Sequence, residues 1–505
     1  KVRNKQRFRG KPIFPPQVNH DKNMTMIVEN IDFSLILPEL ILACGAMILL
    51  VGGVFVGNRS LHSLCIASIA LLITVLIVTI DTPWVTATTL SGFFVMDSFA
   101  GLAKILLIVG MMAALALAPK FLKQEHIFHF EYPVLALFAL LGMFIMVSAH
   151  DLLTLYIGLE LMSLSLYVLA AIQRNSLKAA EAGLKYFILG ALSSGMILFG
   201  CSIIYGFAGS TNYDDISFAL ANVEEVRLGV ALGFVFVLSG LAFKISAAPF
   251  HMWTPDVYEG AATSVTALFA LVPKFAAIAV IMRLVLDPFV SFVDDWTQIL
   301  WLLSAASMAV GAFAALGQEN IKRLLAYSSI GHMGYALIGL VAATQDGAGT
   351  VIFYIVIYMI MTAGTFGVLL SLRRGGLAVD RIETLAGLST VRPFAAYLLA
   401  FLMLSMAGIP PLAGFFGKLF IFQSAMESGL IILAVFGVLT SVVAAYYYLR
   451  IIKVMFFEEA VETLEYEQDV GRMAVTLSAG GIVLALVLAP ESLLLLCREA
   501  VTSLF

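Results

Sequence analysis

The stretch LAFKISAAPFHMWTPDVYEG, residues 241–260, determines how the rest of the chain is read. An apolar run over 228–243 leads into it, Lys244 falls inside the apolar sequence, and Pro249 and Pro255 follow. Proline removes a backbone donor and clashes with the preceding turn, so a helix is expected to break here. A broken helix at membrane depth is tolerated only where it packs in protein or lines a wet cavity. A buried Lys beside such a break reads as part of an ion path. The plainer reading is a Lys at a helix end that snorkels to the headgroups. Against it, apolar sequence resumes at 261 and carries another Lys, Lys274.

Composition supports a membrane reading throughout. The 505 residues are 61% hydrophobic and 12% charged, whereas soluble domains are about 45–50% apolar and about 25% charged. The chain therefore reads as an all-α polytopic membrane protein. The net charge of −4 gives no sign of nucleic-acid binding. Cys44, Cys65, Cys201 and Cys497 are scattered without metal-ligand spacing and read as small core residues. There is no GxGxxG, P-loop or HExxH, and the adjacent His150 and Asp151 read as facing water rather than binding metal. No metal, redox-cofactor or nucleotide site is visible.

Residues 1–23 form a basic polar tail unlike the rest, read as a processed presequence, an extension or a remnant, with Met24 or Met26 as natural starts. Residues 30–500 read as one transmembrane domain. Apolar segments recur at about 34–56, 61–80, 98–118, 132–149, 152–172, 181–206, 228–258 (broken), 262–285, 297–316, 321–342, 349–372, 394–425 (broken), 429–456 and 473–490. These predict about 14 transmembrane helices, here called spans 1–14, each unbroken one near the roughly 20 residues a bilayer requires.

The loops after odd-numbered spans hold Arg59, Lys120, Lys123, Arg174, Lys178, Lys322, Arg323, Arg373, Arg374, Arg381, Arg392, Arg450, Lys453 and Arg472. The opposite side, the tail apart, holds only Arg227, Arg283 and Arg498. By the positive-inside rule the odd loops face the cytoplasm or matrix, and both termini face the periplasmic or outer side. The basic tail runs against that rule.

MLSMAGIPPLAGFFGKLF, residues 403–420, repeats the first device: Pro410 and Pro411 interrupt an apolar helix, and Lys418 follows. The two broken spans, 7 and 12, are five apart and therefore oppositely oriented. This suggests two inverted five-helix repeats, spans 4–8 and 9–13, with sites at the midplane. Proline kinks used only for packing are the structural alternative.

A polar axis runs through these spans. Glu160 lies mid-span 5, Lys185 a turn inside span 6, Lys244 in span 7, Lys274 central in span 8 and Lys418 in span 12. Each Lys at a bilayer centre costs roughly 2.5–3.5 kcal/mol, so such residues must face the interior, pair or stay hydrated. Burial disfavours the charged amine and a nearby carboxylate favours it, so a Lys can hold or release a proton according to where Glu160 points. Arg, always charged, cannot. His251, Tyr327 and His332 are candidate relay groups, although a satisfied core role suits each equally. Lys104, seven residues after Asp97, can snorkel or pair. Glu39 reads as a helix-start carboxylate at the interface.

Four stretches, FKISAAPFHMWTPDVYEGA (243–261), NIKRLLAYSSIGHMGY (320–335), LYIGLELMSLSLYVL (155–169) and SMAGIPPLAGFFGK (405–418), closely resemble the antiporter-like membrane-arm subunits of proton-pumping NADH:quinone oxidoreductase, respiratory complex I. WTPDVYEG and the YYYLR of 446–450 most resemble the N-type branch, counterpart of mitochondrial subunit 2. The resemblance covers about residues 30–490. It implies 14 helices in two inverted repeats, no redox centre in this chain, and NADH, FMN, iron–sulfur clusters and quinone in partner subunits. Carried over by motif, Glu160 is the span 5 glutamate, Lys244 its span 7 partner, Lys185 the N-type span 6 lysine, Lys274 the central span 8 lysine and Lys418 the residue near the far-side exit. Lys rather than Glu at 418, and a chain that ends soon after span 14 without a long lateral helix, favour the N type. Expected partners are the other membrane-arm subunits, including a neighbouring antiporter-like subunit and small membrane subunits, and the lipid bilayer. The expected location is a bacterial cytoplasmic or organellar inner membrane. Two departures stand out: the basic tail, and Ala262 where the family usually has Pro, which is expected to soften the start of span 8.

The implied function is proton translocation along the Glu/Lys axis, driven by electron transfer in other subunits. A subunit of a multisubunit sodium/proton antiporter, which shares the fold, is the alternative. A non-conducting scaffold has no need of five costly lysines.

Overall fold

The structure, a computed structural model, describes residues 32–222, 224–459, 464–467 and 469–505. The basic tail at 1–23 lies outside the described residues. Among those described, twelve helices are long and apolar enough to span a bilayer. Span 4, Glu131–Val147, and span 12, split into Pro393–Ala407 and Ala413–Glu427, complete the expected fourteen. Several helices start where the sequence supplies an oxygen for an otherwise orphan backbone N–H. Asp97, Asp151, Ser176, Asn320 and Thr344 each accept from the first turn.

Cross-loop contacts show that alternate loops share a face. On one side, the strand Leu372–Arg374, after span 11, pairs antiparallel with the strand Leu464–Tyr466, after span 13. Asn320, after span 9, bridges Arg381, after span 11. On the other side, Phe94, in the strand Phe94–Met96 of the hairpin between spans 2 and 3, bridges Ala149, and Asp151 bridges Asn212. The odd-loop side is called the basic face below.

Spans 8, 10 and 11 are buried almost entirely within the protein, while spans 1, 2 and 14 expose most of their surface. Hydrophobic all-round helices at the centre and lipid-facing ones outside are what a membrane bundle requires. Close packing recurs in equivalent pairs of the two repeats. A Cβ on Gly142 in span 4 would come 2.5 Å from the Gly158 carbonyl in span 5, and one on Gly311 in span 9 would come 2.5 Å from the Gly331 Cα in span 10. Small residues let backbones approach where lipid offers no hydrophobic driving force.

The breaks differ in detail from expectation. Span 7 stops at Lys244 and resumes as Trp253–Gly260. Pro249 lies in the gap, whereas Pro255 sits in the first turn of the second half, where no N–H is needed. Span 8 is not continuous: it divides into Thr263–Leu271 and Pro273–Leu286, because Pro273 supplies no donor. Ala262 does not soften the start of span 8. Its φ of −56° is close to the angle a proline ring fixes, and its carbonyl accepts from Val265 and Thr266 N–H at 2.8 and 3.0 Å.

Candidate functional site

The gap in span 7 is satisfied inside the protein. Ala248 N–H donates to Ser307 Oγ at 2.8 Å, the Trp253 indole donates to the Phe243 carbonyl at 3.0 Å, and Thr254 donates to Ser246 at 2.7 Å. Buried Ser246 takes the left-handed conformation at φ 64°, which a non-glycine residue adopts at a cost. Lys244, the last residue of the first half-helix, is buried and donates to Ser163 Oγ at 2.8 Å and Tyr167 OH at 3.1 Å, both on span 5. Glu160 lies on the same face of span 5, three and seven residues before these two. It is within electrostatic range of Lys244 but forms no ion pair with it, and its Oε1 is buried without a partner.

Lys274 follows the Pro273 break directly. It is buried, donates to Ser329 Oγ in span 10, and lies 5.2 Å from the centre of the Tyr258 ring. Lys418 is buried beyond the span 12 break. It donates to the Ala407 carbonyl at 2.9 Å and to Ser441 Oγ at 2.8 Å. Ala407 ends the first half of span 12. Lys418 therefore places its ammonium at the C-terminal end of a half-helix, where the dipole favours a cation, whereas Lys244 reaches across to span 5 and the last carbonyls of its own half-helix accept from Ile245, Ser246 and Ala247 N–H.

Between Lys274 and Lys418 lies a hydroxyl network. His332 Nδ1 is 2.7 Å from Tyr354 OH and its Nε2 is 3.0 Å from Tyr448 OH, which is 2.5 Å from Ser328 Oγ. Two cavities of about 10 Å³ each flank Ser328, one of them also lined by His332, Tyr448 and Lys418. That is close to the room one water needs. His251 and Tyr327 are half-buried and enter no side-chain hydrogen bond with this network. Of the three expected relay groups, the structure brings only His332 into it.

Lys185 stands apart. It is partly exposed and ion-paired, at 2.7 Å to Asp256 and 2.8 Å to Glu181. Arg323 also pairs with Asp256, at 2.6 Å, and these groups line a polar cavity of about 230 Å³ at the basic face. Two further buried pairs lie at the opposite face. Lys104 pairs with Glu39, which lies in the first turn of span 1, at 2.7 Å, and both are buried within the protein. Arg283, in the last turn of span 8, is buried and grips Asp97 at 2.8 and 3.0 Å. Ser163, Ser329, Ser441, Tyr448 and Asp256 were not singled out from sequence. Of these only Ser163 carried a signal, its helical spacing from Glu160.

The family described as NADH:quinone oxidoreductase/Mrp antiporter, transmembrane, matches residues 149–444. The chain is 50% identical over 469 residues to NADH-quinone oxidoreductase subunit N of Parvibaculum lavamentivorans, covering 93% of this chain and 97% of that one. It is 52% identical over 452 residues to subunit N 1 of Rhizobium meliloti, covering 88% and 92%. Among solved structures, a chain of respiratory complex I from Thermus thermophilus with bound aureothin superimposes with a TM-score of 0.77 at 34% identity, covering 90% of this chain and 98% of that one. A chain of the Mrp complex from Dietzia sp. DQ12-45-1b gives a TM-score of 0.80 at 24% identity, covering 93% and 97%, a likeness of fold alone.

Proposed function

Since the chain belongs to the NADH:quinone oxidoreductase/Mrp antiporter family, in its subunit N branch, and is a proton-translocating membrane subunit of NADH:quinone oxidoreductase, we propose that its protons move along Glu160, Lys244, Lys274 and Lys418. The observation that carries this reading is a division among the buried lysines. Lys104 is neutralised by an adjacent carboxylate, whereas Lys244, Lys274 and Lys418 enter no ion pair among the described residues and donate to hydroxyls instead. A paired lysine is fixed as a cation. One held by neutral hydroxyls in a dry interior can give up its proton when the local field changes.

In this reading Glu160, poised near Lys244 without touching it, supplies the field. Movement of its carboxylate toward or away from Lys244 biases that proton, and the change passes to Lys274. The Ser329, Ser328, Tyr448 and His332 hydroxyls and ring, with single waters in the adjoining cavities, carry the proton toward Lys418. The Lys185–Asp256–Arg323 cavity is the uptake mouth on the basic face. That face is turned to the cytoplasm or matrix, both termini to the periplasmic or outer side. Electron transfer, with NADH, FMN, iron–sulfur clusters and quinone, stays in partner subunits. Those partners include a neighbouring antiporter-like subunit and small membrane subunits. Residues 30–500 act as one domain.

The test is the proton-to-electron ratio of Lys244→Ala and Glu160→Ala complexes that assemble normally. Both are expected to pump less, and normal ratios in both would sink the path.

A further inference from the structure

A groove of about 650 Å³ opens on the side of the bundle between spans 1, 4, 5 and 6, at their basic-face ends. Its walls are apolar, with Phe138 from span 4, Tyr167 from span 5 and Phe187 from span 6. Its rim carries three ionisable groups, His129, Glu131 and Arg174. The Oε2 of Glu131 is buried without a hydrogen-bond partner, and Arg174 is exposed and has no side-chain partner among the described residues. The two line one groove yet do not pair with each other. That oxygen is shielded from the groove, so an occupant meets the carboxylate through its other oxygen, and a carboxylate already stripped of water on one side gains from a cation on the other.

We infer that this groove binds one phospholipid with a primary-amine headgroup, its phosphate on Arg174, its ammonium on Glu131 and an acyl chain along Phe138, Tyr167 and Phe187. The charge pattern selects that chemistry. A guanidinium receives a phosphate through paired N–H donors, and basic rims between spans on the cytoplasmic side attract lipid phosphates. The facing carboxylate opposes a purely anionic headgroup and demands a cation. A primary ammonium donates hydrogen bonds to it; a quaternary choline cannot. The volume lies in the range of well-formed ligand pockets, which are apolar with a few placed polar groups.

The site also adjoins the proton axis. Tyr167 forms the groove wall with its ring and holds Lys244 with its hydroxyl at 3.1 Å.

The experiment counts lipids and so stands or falls separately from the pumping assay. The intact complex is purified from native membranes and stripped under fixed detergent conditions. Residual phosphatidylethanolamine per complex is then measured by mass spectrometry for wild type, Glu131→Gln, Arg174→Gln and Leu184→Trp, the last filling the groove. Wild type is expected to keep one more phosphatidylethanolamine than each variant. Refilling from phosphatidylethanolamine vesicles should restore it, and phosphatidylcholine or phosphatidylglycerol vesicles should not. Equal retention in all four proteins, or equal refilling by all three lipids, overturns the assignment. A photo-crosslinker at position 184 that captures a protein subunit instead of lipid overturns it as well.

Discussion

The ammonium of Lys418 caps the carbonyl of Ala407 at 2.9 Å, joining the two halves of span 12 across the Pro410–Pro411 interruption. It is a structural contact and a candidate proton carrier at once. Lys418→Arg keeps the cation but cannot release a proton, so pumping is expected to fall while thermal stability of the complex stays within about 1–2 kcal/mol, since recapping by the larger guanidinium is imperfect. Lys418→Ala should lose both, with about 1–3 kcal/mol of stability lost from the unpaired carbonyl. Proton-to-electron ratio and thermal unfolding, measured on the same preparations, separate the two effects.

The Arg283–Asp97 pair ties span 8, which carries Lys274, to the start of span 3. Removing one partner leaves a buried charge alone and is expected to cost about 3–5 kcal/mol. Asp97→Asn or Arg283→Met alone should therefore lower the amount of assembled complex. The double variant should recover much of it, because replacing both members of a buried pair is often close to neutral. Assembly on native gels across the four combinations checks this, and additive losses would contradict it.

Gly414 opens the second half of span 12, and a Cβ there would overlap the Ser405 carbonyl oxygen of the first half. Gly414→Ala is expected to force the halves apart, shift Lys418 and reduce both stability and pumping. Gly52, in span 1, has open space around it. Gly52→Ala should be neutral or stabilise by up to about 1 kcal/mol through helix propensity. Thermal unfolding of the two variants provides the comparison.

Asp256 holds both Lys185 and Arg323 in the basic-face cavity. These groups are partly exposed, and such pairs contribute about 0–1 kcal/mol. Asp256→Asn is thus expected to leave assembly intact and to slow proton uptake. The check is the initial rate of proton pumping at matched electron-transfer rate, together with native-gel assembly. A full pumping rate would remove Asp256 from the uptake mouth.

The axis was legible in the sequence, whereas its wiring was not. Lys244, Lys274 and Lys418 were legible because a lysine in an apolar run is conspicuous, and a proline beside it more so. Their partners were not, because Ser163, Ser329 and Ser441 are ordinary residues in helices, and serine is common enough there to carry no signal. The motif pairs Glu160 with Lys244, but that two span 5 hydroxyls hold the ammonium was not legible in it. Lys104 looked equivocal until packing brought Glu39 to it.

By itself the sequence determined the membrane solvent, the fourteen crossings, the two main interruptions and the residue types able to hold protons. Each of these follows from local composition: apolar length, missing backbone donors, and the cost of an amine in hydrocarbon. Only the tertiary structure decided which lysines are neutralised and which stand among hydroxyls, because that depends on side chains brought together from spans far apart in sequence. The Lys274–Ser329 contact joins spans 8 and 10, and the His332 cluster joins spans 10, 11 and 13. Helical periodicity gives each residue a face, but the close glycine-lined packing of neighbouring spans decides what that face meets.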